Sequence, residues 1–210
     1  GFGITTGTGF EHPYPFARRL STLDHLTRGR IGWNVVTGYL PSAARNLGAD
    51  DQLAHDARYD HADEYLTVLY KLWEGSWDDD ALVQDKESGL HADFDKVHKI
   101  HHVGERYRVE GRISSRHLRS AHLFSFKQVV TRRTSFAARN AEAQFIVSPN
   151  PAAAKGLIDD TRRLVAGAGR DPQDLTFFQG LSFVIGSTEE EATRKARELD
   201  DPAAFVTRTA

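Results

Sequence analysis

The sequence predicts an α/β fold with a parallel sheet or a (β/α) barrel at its centre. Segment 31–37 is apolar and uncharged, as expected for a strand that is buried on both faces. Segment 1–8 is a second run of apolar and small residues with strand character. The segment between them has four apolar residues at helical spacing and ends at a glycine: Phe16, Leu20, Leu23, Leu26 and Gly29. Strands that alternate with helices across short links are typical of parallel sheets.

A strongly amphipathic helix is predicted after a loop-like segment, 41–53. The helix covers 59–73, Gly75 ends it, and its apolar stripe consists of Ala62, Leu66, Leu69 and Trp73.

The alternation returns in the last third of the chain. A strand is predicted at 143–147, followed by a helix over 151–166 with Asn150 as its N-cap. A second strand is predicted at 175–185. Ser187 and Glu190 then have the spacing of a capping box for a final helix that ends near Leu199.

Two segments interrupt this pattern. Segment 76–111 is polar, contains few apolar residues that could anchor it, and is predicted to be an insertion over the rim of the sheet. Segment 114–135 is rich in arginine and fits neither a helix nor an alternating strand. It is a basic surface loop, a patch that binds an anion or nucleic acid, or a stretch translated out of frame. We favour the last, because a two-base shift with permitted codons turns 123–133 into V-F-V-Q-A-G-G-N-E-A-D, a strand followed by a small-residue turn.

Composition limits the classes of function. The 210 residues have a net charge of −2, which favours neither nucleic acid nor an anionic membrane surface as a partner. The chain has no cysteine, which excludes disulfides, thiolate nucleophiles and cysteine-bound metals. We expect a cytoplasmic location. Because the chain also has no methionine, we expect it to be an internal piece of a longer protein.

Polar residues at the ends of predicted strands and helices are the best candidates for a ligand site. His55 and Tyr59 are four residues apart at a helix start, so their side chains project from one face. The free amide groups and the dipole of a helix start also favour an anion such as phosphate. Asn34 is a polar residue within an apolar strand, and it is equally well explained as a core amide with its hydrogen bonds satisfied.

Histidine and carboxylate clusters raise a metal site as an alternative. His98, His101 and His102 are close in sequence, and His55 and His61 flank several aspartates. None of these spacings matches a recognised metal-binding motif, so no metal ligand is assigned.

Long stretches of the chain resemble one family. Three of them are H-P-Y-P-F-A-R-R-L from His12, R-G-R-I-G-W-N-V-V-T-G from Arg28, and H-D-A-R-Y-D-H-A-D-E-Y from His55. They are similar to the nitrilotriacetate and dimethyl sulfide monooxygenase group of the bacterial luciferase-like flavin monooxygenases. The similarity is dense over 1–111 and resumes from F-A-A-R-N-A-E-A-Q-F at Phe136 to about Asp200.

The resemblance implies a luciferase-like TIM (β/α)8 barrel, of which residues 1–210 would be a central part. It also implies reduced FMN as the cofactor, delivered by a separate NAD(P)H-dependent flavin reductase. With O2, such an enzyme oxygenates a small organosulfur compound or an aminopolycarboxylate. The intact protein is expected to form a homo-oligomer.

The resemblance also assigns roles to residues. Family flavin contacts fall on Thr5 or Thr6, on His55 and Tyr59, and near Asn34, while His12 would face the mouth of the active site as a catalytic residue. A further contact, in a Q-A-G-x-S type turn, is missing between 114 and 135. An inactive remnant of such an enzyme, frameshifted and truncated, is therefore the second hypothesis. A metal-dependent barrel hydrolase is the third.

Overall fold

The computed structural model describes residues 1–113, 124–128 and 134–200 and divides the chain into two compact units, the second of which begins at Gln179. The described strands are β1 (Phe2–Gly7), β2 (Ile31–Val36), β3 (His102–Val103), β4 (Arg108–Val109), β5 (Phe124–Gln128), β6 (Ala143–Ile146) and β7 (Thr176–Gln179). The described helices are α1 (Pro13–Thr27), α2 (Pro41–Asn46), α3 (His55–Glu74), α4 (Thr134–Asn140), α5 (Pro151–Gly167) and α6 (Glu189–Asp200).

Five strands form the main sheet in the order β1-β2-β5-β6-β7, while β3 and β4 pair separately as an antiparallel hairpin. The pairs β1–β2, β2–β5 and β5–β6 are parallel. Parallel neighbours in chain order, with a helix between successive strands, are the arrangement of a (β/α) barrel wall. The predicted fold class is confirmed.

The two faces of β1 and β2 have different environments. Ile31, Trp33 and Val35 are buried in the core beneath α1 and α3, and Ile4 of β1 packs against the same core. Side chains alternate along a strand, so Thr5 and Asn34, which pair in register, lie on the opposite face. Thr5 and Asn34 are therefore on the side of the sheet away from the helices.

Local signals explain the bounds of α1. His12 is its N-cap and accepts a hydrogen bond from the Tyr14 amide (3.2 Å), and Pro13 occupies the first turn. The chain leaves the helix through Arg28 and Gly29, both with positive φ, and the Gly29 amide donates to the Asp24 carbonyl at 2.9 Å.

Three sequence predictions need correction. The loop predicted at 41–53 contains a short helix, α2, which begins at Pro41. The strand predicted at 175–185 ends at Gln179, because its neighbour β6 is only four residues long. Beyond it Leu181, Phe183 and Ile185 are exposed.

The third correction concerns the start of α6. Its capping box uses Thr188 and Glu191 rather than Ser187 and Glu190. The Thr188 hydroxyl accepts from the Glu191 amide at 3.2 Å, and the Glu191 carboxylate accepts from the Ser187 amide at 2.7 Å. Three glutamates in a row fit the motif almost equally well, and the helix begins one residue later than predicted.

The insertion at 76–111 is more firmly anchored than its composition predicts. Six of its apolar residues are buried and belong to the main core: Trp77, Ala81, Ala92, Val97, Tyr107 and Val109. The Trp77 indole also donates to the Ile113 carbonyl at 3.0 Å. Because these residues are irregularly spaced, the sequence shows no helical or strand periodicity from which their burial could be predicted.

Most of segment 114–135 lies outside the described residues. Within it, Phe124–Gln128 forms β5 between β2 and β6, so the expectation that the written sequence provides no strand here is wrong. Whether the segment is out of frame stays a prediction, which the nucleotide sequence would decide. Among the helices of the described ranges, none has the length and apolar character needed to cross a membrane.

Candidate functional site

A cleft of about 710 Å³ lies at the carboxyl ends of β1 and β2, beside the starts of α2 and α3. Its lining includes Thr5, Phe10, Tyr39, His55, Arg58 and Tyr59. The volume falls in the range of sites for small molecules and cofactors. In sheets and barrels with parallel strands, the carboxyl ends of the strands are where ligands bind.

Thr5 and Asn34 form a polar pair on the sheet at one side of the cleft. The Asn34 side-chain amide donates to the Thr5 hydroxyl at 3.0 Å. The amide oxygen of Asn34 is buried, and within the described part of the chain it has no hydrogen-bond partner. A buried polar atom in this state is uncommon in folded proteins, and a ligand is one group that can satisfy it.

His55 and Tyr59 stand together on the first two turns of α3, as predicted from their spacing. Their ring centroids are 5.1 Å apart, and Tyr59 also contacts the Phe136 ring edge-on at 5.8 Å. No side chain caps α3 at Ala54, so its first amide groups are not satisfied in that way. These amides and the helix dipole favour an anion at this end of the cleft.

Arg58 is a functional candidate that the sequence reasoning missed. Its guanidinium donates from Nη1 to the Gly38 carbonyl at 2.7 Å, at a turn where Gly38 has a positive φ. Its Nε atom is buried without a hydrogen-bond partner among the described residues. The available signal was a cationic residue between His55 and Tyr59 in the same helical turn, where an anion site was already expected.

Thr6 and His12 do not line the cleft. Thr6 follows Thr5 on the strand and so faces the helix-covered side, where its carbonyl accepts from the Trp33 indole at 3.0 Å. His12 is occupied as the N-cap of α1, and its ring meets Tyr107 edge-on at 5.3 Å. Of the predicted residues, the structure therefore brings Thr5, His55 and Tyr59 together, with Asn34 adjoining them.

Glu64 joins the insertion to α3. Its carboxylate accepts from the backbone amides of Tyr107 (2.9 Å) and Arg106 (3.0 Å) and lies 3.2 Å from His102 Nε2. Burial acts to raise the pKa of Glu64. Hydrogen bonds from the Tyr107 amide, from His102 and from the Arg106 amide outweigh burial, so the pKa is lower than its ordinary value.

The histidines considered as metal ligands have other neighbours. His98 Nε2 lies 3.0 Å from the Asp78 carboxylate, and His61 is bonded to the Tyr107 hydroxyl. Across residues 1–113, 124–128 and 134–200, no group of three histidines or carboxylates is arranged to hold a metal ion.

Comparison with known proteins identifies the family. The model of the luciferase-like monooxygenase family matches residues 1–209. The chain belongs to this family. The dimethyl-sulfide monooxygenase of Hyphomicrobium sulfonivorans is 47% identical over 94% of the chain, and the long-chain alkane monooxygenase of Geobacillus thermodenitrificans is 44% identical over 92%. These alignments cover 42% and 44% of the two relatives, so the chain spans less than half their length.

Solved structures agree with this assignment. A crystal structure of a long-chain alkane monooxygenase matches 94% of the chain and 46% of its own length, with a TM-score of 0.86 and 43% identity. A riboflavin lyase solved with modified FMN and riboflavin matches 95% of the chain and 44% of its own length, with a TM-score of 0.87 and 37% identity. The fold of the family is thus the fold of this chain over the length compared.

Proposed function

We propose that the chain forms the flavin side of a monooxygenase site that uses reduced FMN and O2. The observation that carries the proposal is the cleft at the ends of β1 and β2. It gathers Thr5, His55, Arg58 and Tyr59 around the uncapped start of α3. Membership of the luciferase-like monooxygenase family supports the choice of flavin among the anionic cofactors that such a cleft could hold.

The residues present fit FMN in both charge and polarity. Arg58, His55 and the first amides of α3 provide donors for a phosphate at one end of the cleft. The unpaired Asn34 amide oxygen accepts a hydrogen bond, and a flavin ring system carries N–H groups that could donate one. Phe10 and Tyr39 supply apolar surface for a flat aromatic ring.

The protein's part in the reaction is to bind, orient and exclude water. When bound, reduced flavin supplies the two electrons and two hydrogens with which O2 oxygenates a substrate and yields water. Arg58 and the start of α3 would hold the anionic end of the cofactor. Thr5 and Asn34, whose side chains already support each other, would hold its ring system.

The cleft favours a small organosulfur substrate over an aminopolycarboxylate. Arg58 is the only arginine or lysine among its described lining residues, and a phosphate would take up that charge. The remaining side chains, including Phe10, Tyr39 and Leu40, present mainly apolar surface to a second molecule. The relatives include a dimethyl-sulfide monooxygenase at 47% identity and a nitrilotriacetate monooxygenase component A from Aminobacter aminovorans at 34%.

The name 'component A' indicates that the nitrilotriacetate enzyme has several components. A separate NAD(P)H-dependent flavin reductase as the partner of this chain is in keeping with such a system.

Titration of the protein with FMN, followed by the quenching of flavin fluorescence, tests the proposal. Tyr59→Phe removes one hydroxyl from the cleft, and we expect the Kd for FMN to rise about tenfold, the cost of one hydrogen bond to a charged group. Tyr14→Phe is the matched control, because the Tyr14 hydroxyl donates to the Arg112 carbonyl outside the cleft. That variant should bind FMN as the parent does.

Two results would contradict the proposal. Equal FMN affinity in Tyr59→Phe and the parent would remove Tyr59 from the site. No quenching at all by the folded parent protein would favour the inactive remnant.

A further inference from the structure

A second cavity, of about 230 Å³, lies beside the cleft. The rest of its lining comes from the end of β1, from α2 and its link to α3, and from α3 itself. The two spaces share four lining residues and so have a common wall: Phe10, Thr37, Gly38 and Arg58. The proposed flavin contacts Thr5, His55 and Tyr59 line the cleft and not this cavity. The second cavity is therefore an adjoining space to which no ligand has been assigned.

Phe10 lies in the common wall, and its ring position depends on a glycine. It follows β1 on a tight turn, in which its amide donates to the Gly7 carbonyl at 3.3 Å. Its ring packs against Gly7, since a Cβ atom at that position would lie only 2.8 Å from the ring atom Cε2. Any larger residue in place of Gly7 would push the ring away. The glycines of the T-G-T-G-F sequence thus allow the ring to lie between the two spaces.

The part of the lining that belongs to this cavity alone is largely small and apolar. Its glycine and apolar residues are Gly7, Gly9, Ala44, Leu47, Ala49 and Leu53. Leu47 and Leu53 are 55% and 41% exposed, so an apolar ligand in the cavity would remove part of both side chains from water. Burial of this kind provides binding free energy without a directed hydrogen bond.

Among the described residues, three polar side chains line this cavity and not the cleft, and each has a partner in the protein. The Asp51 carboxylate accepts from the next backbone amide at 2.7 Å, and the Gln52 side-chain oxygen does the same at 3.1 Å. His61 Nε2 is hydrogen-bonded with the Tyr107 hydroxyl. The cleft differs, because the buried Asn34 oxygen has no partner in the described ranges. The second cavity therefore suits an uncharged, apolar ligand, and the Asp51 carboxylate disfavours an anion there.

We propose that the second cavity is a subsite for the alkyl chain of a sulfide substrate and that Phe10 marks its boundary with the cleft. The subsite rests on the proposed function and defines the substrate class more closely, as a methyl sulfide with one longer alkyl chain. The sulfur atom stays in the cleft, and the chain passes along the Phe10 ring into the cavity. A space of about 230 Å³ holds about seven groups the size of a water molecule, so a chain of about five carbons fits.

Methyl sulfides of increasing chain length test the subsite by a readout other than activity. Dimethyl, methyl propyl and methyl pentyl sulfide are titrated by calorimetry into the protein in the presence of oxidised FMN, which does not support oxygenation. We expect the Kd to fall about fourfold for each added methylene, the usual gain from removing one methylene from water. Equal Kd values across the series, with FMN bound, would overturn the subsite.

Gly9→Leu is designed to fill the cavity. Gly9 lines the cavity and not the cleft, and its φ lies outside the left-handed region. A Cβ atom at Gly9 would meet no atom within 4 Å apart from its chain neighbours. We expect the variant to bind FMN and dimethyl sulfide as the parent does, whereas the Kd of methyl pentyl sulfide should rise to that of dimethyl sulfide.

Two further variants complete the test. Ala49→Leu fills the cavity from a different part of its lining, at an exposed position, and so does not depend on the turn after β1. Gly156→Leu is the matched control, because it places the same side chain at an equally open glycine of α5, outside both spaces. The control should reproduce the chain-length series of the parent.

The outcomes distinguish the subsite from the proposed function. A chain-length dependence that persists unchanged in both Gly9→Leu and Ala49→Leu would overturn the subsite, since the chain would then lie elsewhere. A dependence that these two variants abolish, in proteins of which none binds FMN, would count against the proposed function alone.

Discussion

Helix α3 takes part in two polar regions that differ in how their hydrogen bonds are satisfied. On the insertion side, Glu64 accepts two backbone amides and pairs with His102, whose other ring nitrogen lies 3.3 Å from Lys71 Nζ. On the cleft side, the Asn34 oxygen and Arg58 Nε are buried without partners in the described part of the chain. Arg58 and Glu64, which belong to the two regions, are less than two turns apart on α3.

This difference in hydrogen bonding separates residues that stabilise the fold from candidate ligand-binding residues. A buried polar group without a partner costs free energy, and a ligand that supplies the missing hydrogen bond removes that cost. The hydrogen bonds of Glu64 are satisfied within the protein, so they stabilise the fold without a ligand. If the cleft binds a ligand as proposed, substitutions there should affect binding more than folding.

The largest effect on stability is expected for Glu64→Ala. The variant leaves the amides of Arg106 and Tyr107 and the His102 ring without their acceptor, and both Tyr107 and His102 are buried. We expect the free energy of unfolding to fall by about 3 kcal/mol, since each orphaned donor carries a desolvation cost. Urea denaturation followed by tryptophan fluorescence measures the change.

Glu105→Ala is the control for that prediction. Glu105 neighbours the same segment, but it is exposed and only approaches Arg106 at 3.7 Å. A surface pair of this kind contributes between about 0 and 1 kcal/mol. Equal losses in Glu105→Ala and Glu64→Ala would mean that the insertion is held by general electrostatics and not by the Glu64 bonds.

For Asn34→Val we expect the reverse of Glu64→Ala: a small change in stability and a clear change in FMN binding. The variant loses the bond to the Thr5 hydroxyl but also removes a buried oxygen without a partner, so stability should change by less than about 1 kcal/mol. The Kd for FMN should nevertheless rise. A large loss of stability with normal FMN binding would identify Asn34 as a core amide, the alternative that its sequence context left open.

The features of the fold that depend on local sequence patterns could be predicted. The apolar stripe of α3, the end of α1 at Gly29 and the Asn150 cap of α5 were all predicted and are all present. The length of β7 could not be predicted in the same way, since it depends on where its neighbour β6 ends.

In the candidate site, too, residues related by local spacing were predicted and residues placed by distant contacts were not. His55 and Tyr59 were found because four-residue spacing on a helix places both on one face. Arg58 was missed because its position depends on the carbonyl of Gly38, twenty residues earlier. His61 was considered only as a metal ligand, and its contact with Tyr107 was missed because Tyr107 lies 46 residues away in a segment without periodicity. Contacts between distant segments carry no signal in a single sequence.

The smallest expected effect is the acid sensitivity that Glu64 confers. Its pKa is lower in the folded chain than in the unfolded one, so the unfolded chain takes up a proton first as the pH falls. The stabilisation is therefore complete above about pH 4.5, the ordinary range of a glutamate, and is lost as the pH falls through the lowered pKa. Glu64→Gln cannot titrate at this position, so its melting temperature should fall less than that of the parent between about pH 5.5 and pH 3.5. Parallel curves for the two proteins would show that the bonds to Glu64 do not depend on its charge, and the contrast with the cleft would then rest on hydrogen bonding alone.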